Sequence, residues 1–366
     1  MDRSVRTPAP GSVPRAEPTP TAVGAATPVG TPPPEPARAP AAPSGTGTGT
    51  GTKIVAGGAS DAGRVRAVNQ DAYWLGDLPG KGFLAVVADG MGGHQTGEVA
   101  SSQAVEVFRA TLRSSRAHVP AAMARAAQTA NLDVHAAATA NPENHGMGTT
   151  LTALVVDDQV GLIGHVGDSR AYRLRGGELV QLTHDHSWVA DRVRQGLLTA
   201  DEARRHRWRN VITNALGATE SFRLDLGATE VRPDDRFLLC SDGVSMLVSD
   251  GLMRQILTDH PPQAAADLLI AEANDRGAPD NVTALVVHAQ GVAHRPKRYE
   301  LPDEIDEPTS VEVRGTQSGI REVEAAFPVR SPLRALRNHP WYPYRGWIVG
   351  SLYLVLLFLV FSVWRG

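Results

Sequence analysis

Apolar residues along the chain gather into short runs bordered by glycine, proline and acidic positions. Branched, apolar runs with such borders are strand signals. They predict strands at Lys53–Ala56, Phe83–Ala88, Thr149–Val156, Val160–Val166, Ala171–Leu174, Leu179–Leu182, Leu224–Ala228, Phe237–Cys240 and Val282–His288. Between groups of these runs the apolar positions recur at helical spacing, which predicts helices over Glu98–Leu112, Pro120–Ala138, Ser187–Gln195, Asp201–Arg205, Ser249–Leu257 and Gln263–Asn274. The helices come in pairs between groups of strands, not one after each strand. That order favours an α+β arrangement, antiparallel sheets with helices packed outside, over a doubly wound parallel sheet.

The same pattern divides the chain. Residues 1–52 are dominated by Pro, Ala, Gly and Thr, as in "TPPPEPARAP" and "GTGTGTGT", and have too little apolar surface to offset the entropy of ordering. A disordered tail is expected there, without the apolar stretch of a secretory signal. Residues 53–290 form one domain's worth of alternating elements. A polar, Pro-containing and mixed-charge stretch at 291–346 reads as a linker. From Trp347 to Trp364 the chain carries no charge, and at about 1.5 Å per residue a helix there reaches about 27 Å, close to a bilayer's hydrocarbon thickness. Trp341, Tyr342, Tyr344 and Trp347 on one side and Trp364 on the other resemble interfacial aromatics. Arg330, Arg334, Arg337 and Arg345 outweigh Arg365, so the expectation is a C-terminal transmembrane helix that leaves the N-terminal domain in the cytoplasm.

Composition narrows the chemistry mainly by exclusion. A net charge of −3 over 366 residues, with no Lys/Arg stripe, gives no electrostatic case for nucleic-acid binding. The single cysteine, Cys240, has no partner for a disulfide or a thiolate metal site and lies in an apolar run, where it reads as a small buried hydrophobe.

Five aspartates stand at the ends of strand-like runs. Asp89 ends "FLAVVA", Asp168 follows "HVG", Asp242 follows "RFLLCS", Asp71 follows "RAVNQ" and Asp280 precedes the last run in "GAPDNVT". Each alone is an ordinary turn residue, since short carboxylates bond nearby backbone N–H groups and glycine beside them turns freely. Converged, the five would repel and raise one another's pKa, so convergence requires a cation. Oxygen donors without Cys or regular His spacing point to Mg²⁺ or Mn²⁺ and away from zinc.

In order along the chain stand "RVRAVNQDA", "VADGMGGHQTGEVAS", "GMGTTLTAL", "HVGDSRAYRLR", "LTHDHSWV", "LLCSDG" and "PDNVTALVV". This ordered set resembles the bacterial members of the metal-dependent serine/threonine protein phosphatases (PPM, type 2C), over about 54–289. The resemblance implies two antiparallel sheets packed as a sandwich between helix pairs, and hydrolysis of phosphoserine and phosphothreonine in proteins. It implies that Asp89 bridges two Mn²⁺ or Mg²⁺ ions, that the Gly90 carbonyl is a further ligand, and that Asp242 and Asp280 complete the set. Asp168 matches the ligand of a weaker third ion, and Asp71 a residue acting through water. Two ions about 4 Å apart lower the pKa of a water between them. Arg66 matches the arginine that binds substrate phosphate, for which a planar guanidinium is suited.

Two positions depart from many eukaryotic relatives. Gln70 stands where they carry Glu, and Met91 where they carry a general-acid His, which leaves the proton donor unassigned. His94 is the nearest candidate general acid. His184 and His186, just before a stretch similar to the mobile flap of bacterial relatives, read as structural or surface histidines. The flap arginines Arg192, Arg194, Arg204, Arg205, Arg207 and Arg209 suit either steering of acidic phosphopeptides or a solvated face. The expected protein is a membrane-tethered phosphatase of phosphorylated proteins, opposing a membrane-bound bacterial serine/threonine kinase. The alternatives are a phosphatase of an anti-sigma-factor antagonist and a pseudophosphatase that binds phosphoproteins without turnover.

Overall fold

An apolar run with no polar face needs cover on both sides, and the chain provides it with two antiparallel sheets laid face to face under outer helices. The computed structural model describes residues 46–47, 52–93, 96–292 and 309–313. In chain order the strands are β1 (Thr46–Gly47), β2 (Lys53–Asp61), β3 (Asp71–Leu78), β4 (Gly82–Met91), β5 (Gly148–Thr149), β6 (Leu151–Asp157), β7 (Val160–Val166), β8 (Arg170–Arg175), β9 (Glu178–Gln181), β10 (Phe222–Glu230), β11 (Arg236–Cys240), β12 (Val282–Gly291) and β13 (Thr309–Val313). The helices are α1 (Thr96–Ser114), α2 (Val119–Ala140), α3 (Trp188–Arg194), α4 (Ala200–Arg205), α5 (Asp242–Ser245), α6 (Asp250–Asp259) and α7 (Pro262–Asp275).

One sheet runs β1-β2-β12-β11-β8-β9 and the other β13-β10-β7-β6-β4-β3, with β5 paired to the end of β4. Side chains alternate across each strand, so one run feeds two cores. On β4, Phe83, Ala85 and Val87 face the other sheet, while Leu84, Val86 and Ala88 face helices α1 and α2. On β11, Phe237 and Leu239 face inward and Leu238 and Cys240 face α6 and α7. Helix α1 places Ala100, Ala104, Val105, Phe108 and Leu112 on one buried face, the spacing of an amphipathic helix. Cys240 is fully buried, as a small hydrophobe, and burial pushes its thiol up to about 12.

The sandwich and its outer helices match the expected class, with one correction. The expected fold included a transmembrane helix, but among the described residues no helix is long and apolar enough to cross a membrane. The charge-free run at 347–364 lies outside the described residues, as does most of the expected tail. Within the expected linker, β13 pairs with the edge of β10, from Phe222 opposite Val313 to Leu226 opposite Thr309. Two elements carried too weak a local signal to be expected. Strand β3 is an edge strand, mostly half-exposed, with a glycine and acids in "DAYWLGDL". Helix α5 is a single turn.

Candidate active site

The alternation that fills the core also builds the site. Asp89 follows Phe83, Ala85 and Val87 in the same phase of β4, so its side chain belongs to the inter-sheet face where the apolar core ends. Asp71 stands directly opposite it in the β3–β4 ladder, continuing the face of Tyr73 and Leu75. From the other sheet, Ser241 follows Phe237 and Leu239, and Thr283 precedes Leu285 and Val287. Their hydroxyls donate to Asp71 Oδ2 at 2.7 and 2.6 Å. Asp71 Oδ1 is buried with no partner.

The remaining acids come from turns. Asp242 opens α5 directly after β11, and its Oδ1 is also buried without a partner. Asp280 stands just before β12, where its Oδ1 accepts the Asn281 N–H at 2.9 Å and its Oδ2 accepts the Arg66 guanidinium at 2.8 Å. Asp168 is buried in the turn between β7 and β8. The fold therefore gathers Asp71, Asp89, Asp168, Asp242 and Asp280, with Arg66 at the half-exposed rim.

Their electrostatics show the strain of that gathering. Burial raises Asp89 well above the usual carboxylate range, and the charges of Asp71, Asp242, Asp168 and Asp280 raise it further. Burial pushes Asp71 up to about 7 against the pull of its two hydroxyl partners. Asp242 is pushed up to about 6 by burial and then by Asp280, while a hydrogen bond with Asp89 opposes the rise. Asp168 is raised well above its usual value by burial and then by Asp242 and Asp185. Crowded carboxylates of this kind ionise together only when a cation joins them.

The donor set fits hard divalent ions. It offers carboxylate oxygens, two of them buried and unpartnered, and no thiolate or imidazole. Among the described residues no three His, Cys, Asp or Glu side chains close into one metal-holding group. Mg²⁺-like ions need only one or two carboxylates each and keep waters for the rest, so an open edge suits them better than a full cage.

Several positioning residues escaped the sequence reading, although they stand inside its quoted motifs. Thr150 Oγ1 accepts the Asp89 N–H at 2.8 Å and lies 2.8 Å from Ser169 Oγ, tying the Asp89 strand to the Asp168 turn. Asn281 Nδ2 donates to the carbonyls of Ala62 and Val68, each at 3.0 Å, and its Oδ1 accepts the Gln70 N–H at 2.9 Å. It thereby holds the loop that carries Arg66. A Cβ at Gly90 would lie 2.0 Å from the Gly97 carbonyl oxygen, and one at Gly97 would lie 2.7 Å from the Gly90 carbonyl oxygen. Both positions require glycine for this approach. No local signal distinguishes Thr150 and Asn281 from turn formers, because their partners are distant in sequence, whereas Gly90 was already named through its carbonyl.

Of the other expectations, His94 lies outside the described residues. His184 is exposed and His186 is fully buried. In the stretch expected as a flap, Arg194 pairs with Asp191 and Arg204 with Asp201, while Arg192 and Arg207 lie over the rings of Trp188 and Trp208. Met91 lines an open cavity of about 540 Å³ together with Ile212, Asn214, Ala218 and Arg223.

A sandwich of antiparallel sheets with an acidic cluster of hard oxygen donors at its edge defines a metal-dependent hydrolytic class. A profile of the Protein phosphatase 2C family matches residues 61–269. The chain is 34% identical over 234 residues to the serine/threonine phosphatase stp of Listeria innocua, covering 62% of this chain and 93% of that protein. It superposes on the crystal structure of the Mycobacterium tuberculosis serine/threonine phosphatase PstP/Ppp with a TM-score of 0.60 at 37% identity, covering 65% of this chain and 99% of the other. A structure of the PstP catalytic domain in complex with two manganese ions gives a TM-score of 0.58 at 36% identity, covering 64% and 97% of the two chains. The chain belongs to the protein phosphatase 2C family. It is a serine/threonine protein phosphatase, an enzyme that acts on phosphorylated proteins.

Proposed function

We propose that the chain hydrolyses phosphoserine and phosphothreonine in proteins at the Asp71–Asp89–Asp242–Asp280 edge, and that it opposes a bacterial serine/threonine kinase. The observation that carries the site is the set of buried carboxylates that raise one another's pKa, with unpartnered oxygens on Asp71 and Asp242. Asp89, the Gly90 carbonyl, Asp242 and Asp280 would hold a pair of Mn²⁺ or Mg²⁺ ions, with Asp168 serving a third and Asp71 acting through water. When bound, such a pair lowers the pKa of water and offsets charge developing on a phosphoryl group.

The protein's own residues prepare the rest. Thr150 and the β3–β4 ladder fix where Asp89 emerges, so the site needs little rearrangement to take cations. Ser241 and Thr283 hold one oxygen of Asp71 and leave the other buried without a partner. Arg66 reaches the rim on a loop held by Asn281 and suits the bidentate oxygens of a phosphate monoester. Before substrate binds, it neutralises Asp280.

Phosphate release from a phosphothreonine peptide, measured with Mn²⁺, with EDTA and with Asp242→Asn, tests the reading. Activity that disappears in both controls supports it. Activity untouched by EDTA would sink it, and metal binding without turnover would favour a phosphoprotein-binding role. Phosphoproteomes of cells lacking this chain address the kinase: accumulation of that kinase's phosphoproteins supports the pairing, and accumulation confined to an anti-sigma-factor antagonist points to the narrower substrate.

A further inference from the structure

His186 is the one imidazole among the described residues that is fully buried against an acid and bonded to the turn that carries Asp168. Its Nε2 lies 3.0 Å from Asp225 Oδ2, a carboxylate that can only accept when ionised, so Nε2 carries the proton. Nδ1 is then an acceptor. It receives the Gly167 N–H at 3.1 Å and the Asn214 Nδ2–H at 2.8 Å. The backbone adds a bond in the other direction, since the His186 N–H donates to the Gly167 carbonyl at 2.7 Å. Both backbone groups of Gly167 are thus held by one residue.

Gly167 has little freedom on its other side. Its φ is +107°, and a Cβ there would lie 2.5 Å from the Thr150 side chain. The turn is clamped between Thr150, which also bonds Asp89, and His186. The His165 ring supports the clamp, with centroids 4.8 Å apart. Asp225 has the Arg223 Nε at 3.5 Å from its other oxygen. Asn214 is fixed in turn, donating to the Arg223 carbonyl at 2.8 Å and accepting the Arg223 N–H at 3.0 Å.

The same node closes the excursion of the chain from 187 to 213. The His186 carbonyl accepts the Thr213 N–H at 2.8 Å, and Ser187 bridges to Ile212. Helices α3 and α4 with their aromatic cluster lie between these two ends. Both ends of the excursion and the Asp168 turn therefore meet at one buried residue, the excursion through the His186 backbone and the turn through its ring and backbone.

We infer that His186, oriented by Asp225 and Asn214, is a positioning residue for the Asp168 carboxylate and thereby sets the affinity of the weakest divalent-cation site. This rests on the reading of Asp168 as a cation ligand. The physical basis is that an imidazole locked into one tautomer by an acid is a rigid strut, whereas a turn held only by its own backbone drifts. Residues one step removed from a ligand change cation affinity by about 10–100-fold when altered.

Calorimetric titration of the full metal-free chain with Mn²⁺ tests this, beside His186→Gln, Asp225→Asn and Asp168→Asn, with melting temperatures recorded for each. Wild type is expected to show tight and weak binding steps. His186→Gln is expected to weaken only the weak step, by about tenfold, with the tight steps kept. Asp225→Asn retains size and an acceptor for Nε2–H, and serves if His186→Gln does not fold; because the acceptor is kept, it is expected to weaken that step by about threefold, less than the scale for a lost partner. A weak step within about twofold of wild type in the folded variant overturns the positioning role. If Asp168→Asn leaves the weak step in place, the reading of Asp168 as a ligand fails instead. Removal of the step by Asp168→Asn, with no effect of either neighbour, sinks the inference alone.

Discussion

Asp71 shows how one residue takes its role from its surroundings. Its two hydroxyl partners satisfy one oxygen while burial and neighbouring acids make ionisation of the whole group unfavourable. Asp71→Asn keeps an acceptor for Ser241 and Thr283 but removes the charge. The metal-free variant should melt a few degrees higher than wild type at neutral pH, while Mn²⁺-dependent turnover falls; calorimetry and a phosphopeptide assay read the two effects. Arg66 poses the converse case, a cation at the rim. A charge-assisted hydrogen bond contributes about 1.5–3 kcal/mol, so Arg66→Ala should raise KM about tenfold or more, with kcat less affected. Equal losses in both constants would show that Arg66 acts after binding instead. Asp71, Arg66 and the acids were recognisable in the sequence as a motif set, but the partners of Asp71 were not, because Ser241 and Thr283 lie 170 and 212 residues away.

At the scale of elements, the strands do two tasks with one pattern. β4 supplies three residues to each of two cores and then extends the inter-sheet phase by one more step to Asp89. A one-residue slip would turn Asp89 to the helix side and bury the wrong set. Helix α1 supports that register from outside through Phe108, which is almost fully buried. Phe108→Ala should destabilise the protein by about 3–5 kcal/mol, measured by denaturant unfolding. Folded protein should still bind Mn²⁺ with wild-type affinity. Gly97→Ala tests a different property of α1, its approach to the site. A methyl 2.7 Å from the Gly90 carbonyl must displace it, so Mn²⁺ binding should weaken by more than the change in melting temperature implies. The apolar runs revealed most of these elements, whereas β3 was missed because an edge strand needs only one apolar face and this one carries glycine and acids.

Across the whole molecule the acids link cation binding to pH. Asp71 and Asp242 are shifted from 3.8 to about 7 and about 6, and Asp89 and Asp168 are shifted in the same direction. The folded metal-free chain therefore keeps protons that the unfolded chain has released, and stability falls as pH rises through that window. His165 acts in the opposite sense. Burial lowers its pKa to about 3, so its contribution is lost as pH falls below 6.5. Burial also lowers His288, in the same sense as His165. Four acids outweigh these two imidazoles, and metal-free protein should melt lower at pH 7.5 than at pH 5.5. Saturating Mn²⁺ should reverse the order, because cations bind the ionised acids and stabilise the folded state by mass action. Scanning calorimetry at both pH values, with and without Mn²⁺, would refute the linkage if the pH trend were the same in both series.

By itself the sequence determined the kinds of element, from spacing within a few residues, and the order of the acidic motifs along the chain. It also carried the family resemblance, since that rests on motifs in order. Only the tertiary structure decided that Asp71 faces Asp89 across a ladder, that Asn281 holds the Arg66 loop, and that His186 is a buried strut and not a surface histidine. Those outcomes depend on pairings between segments far apart in the chain. Local composition cannot encode them one residue at a time; the packing of two sheets selects them together.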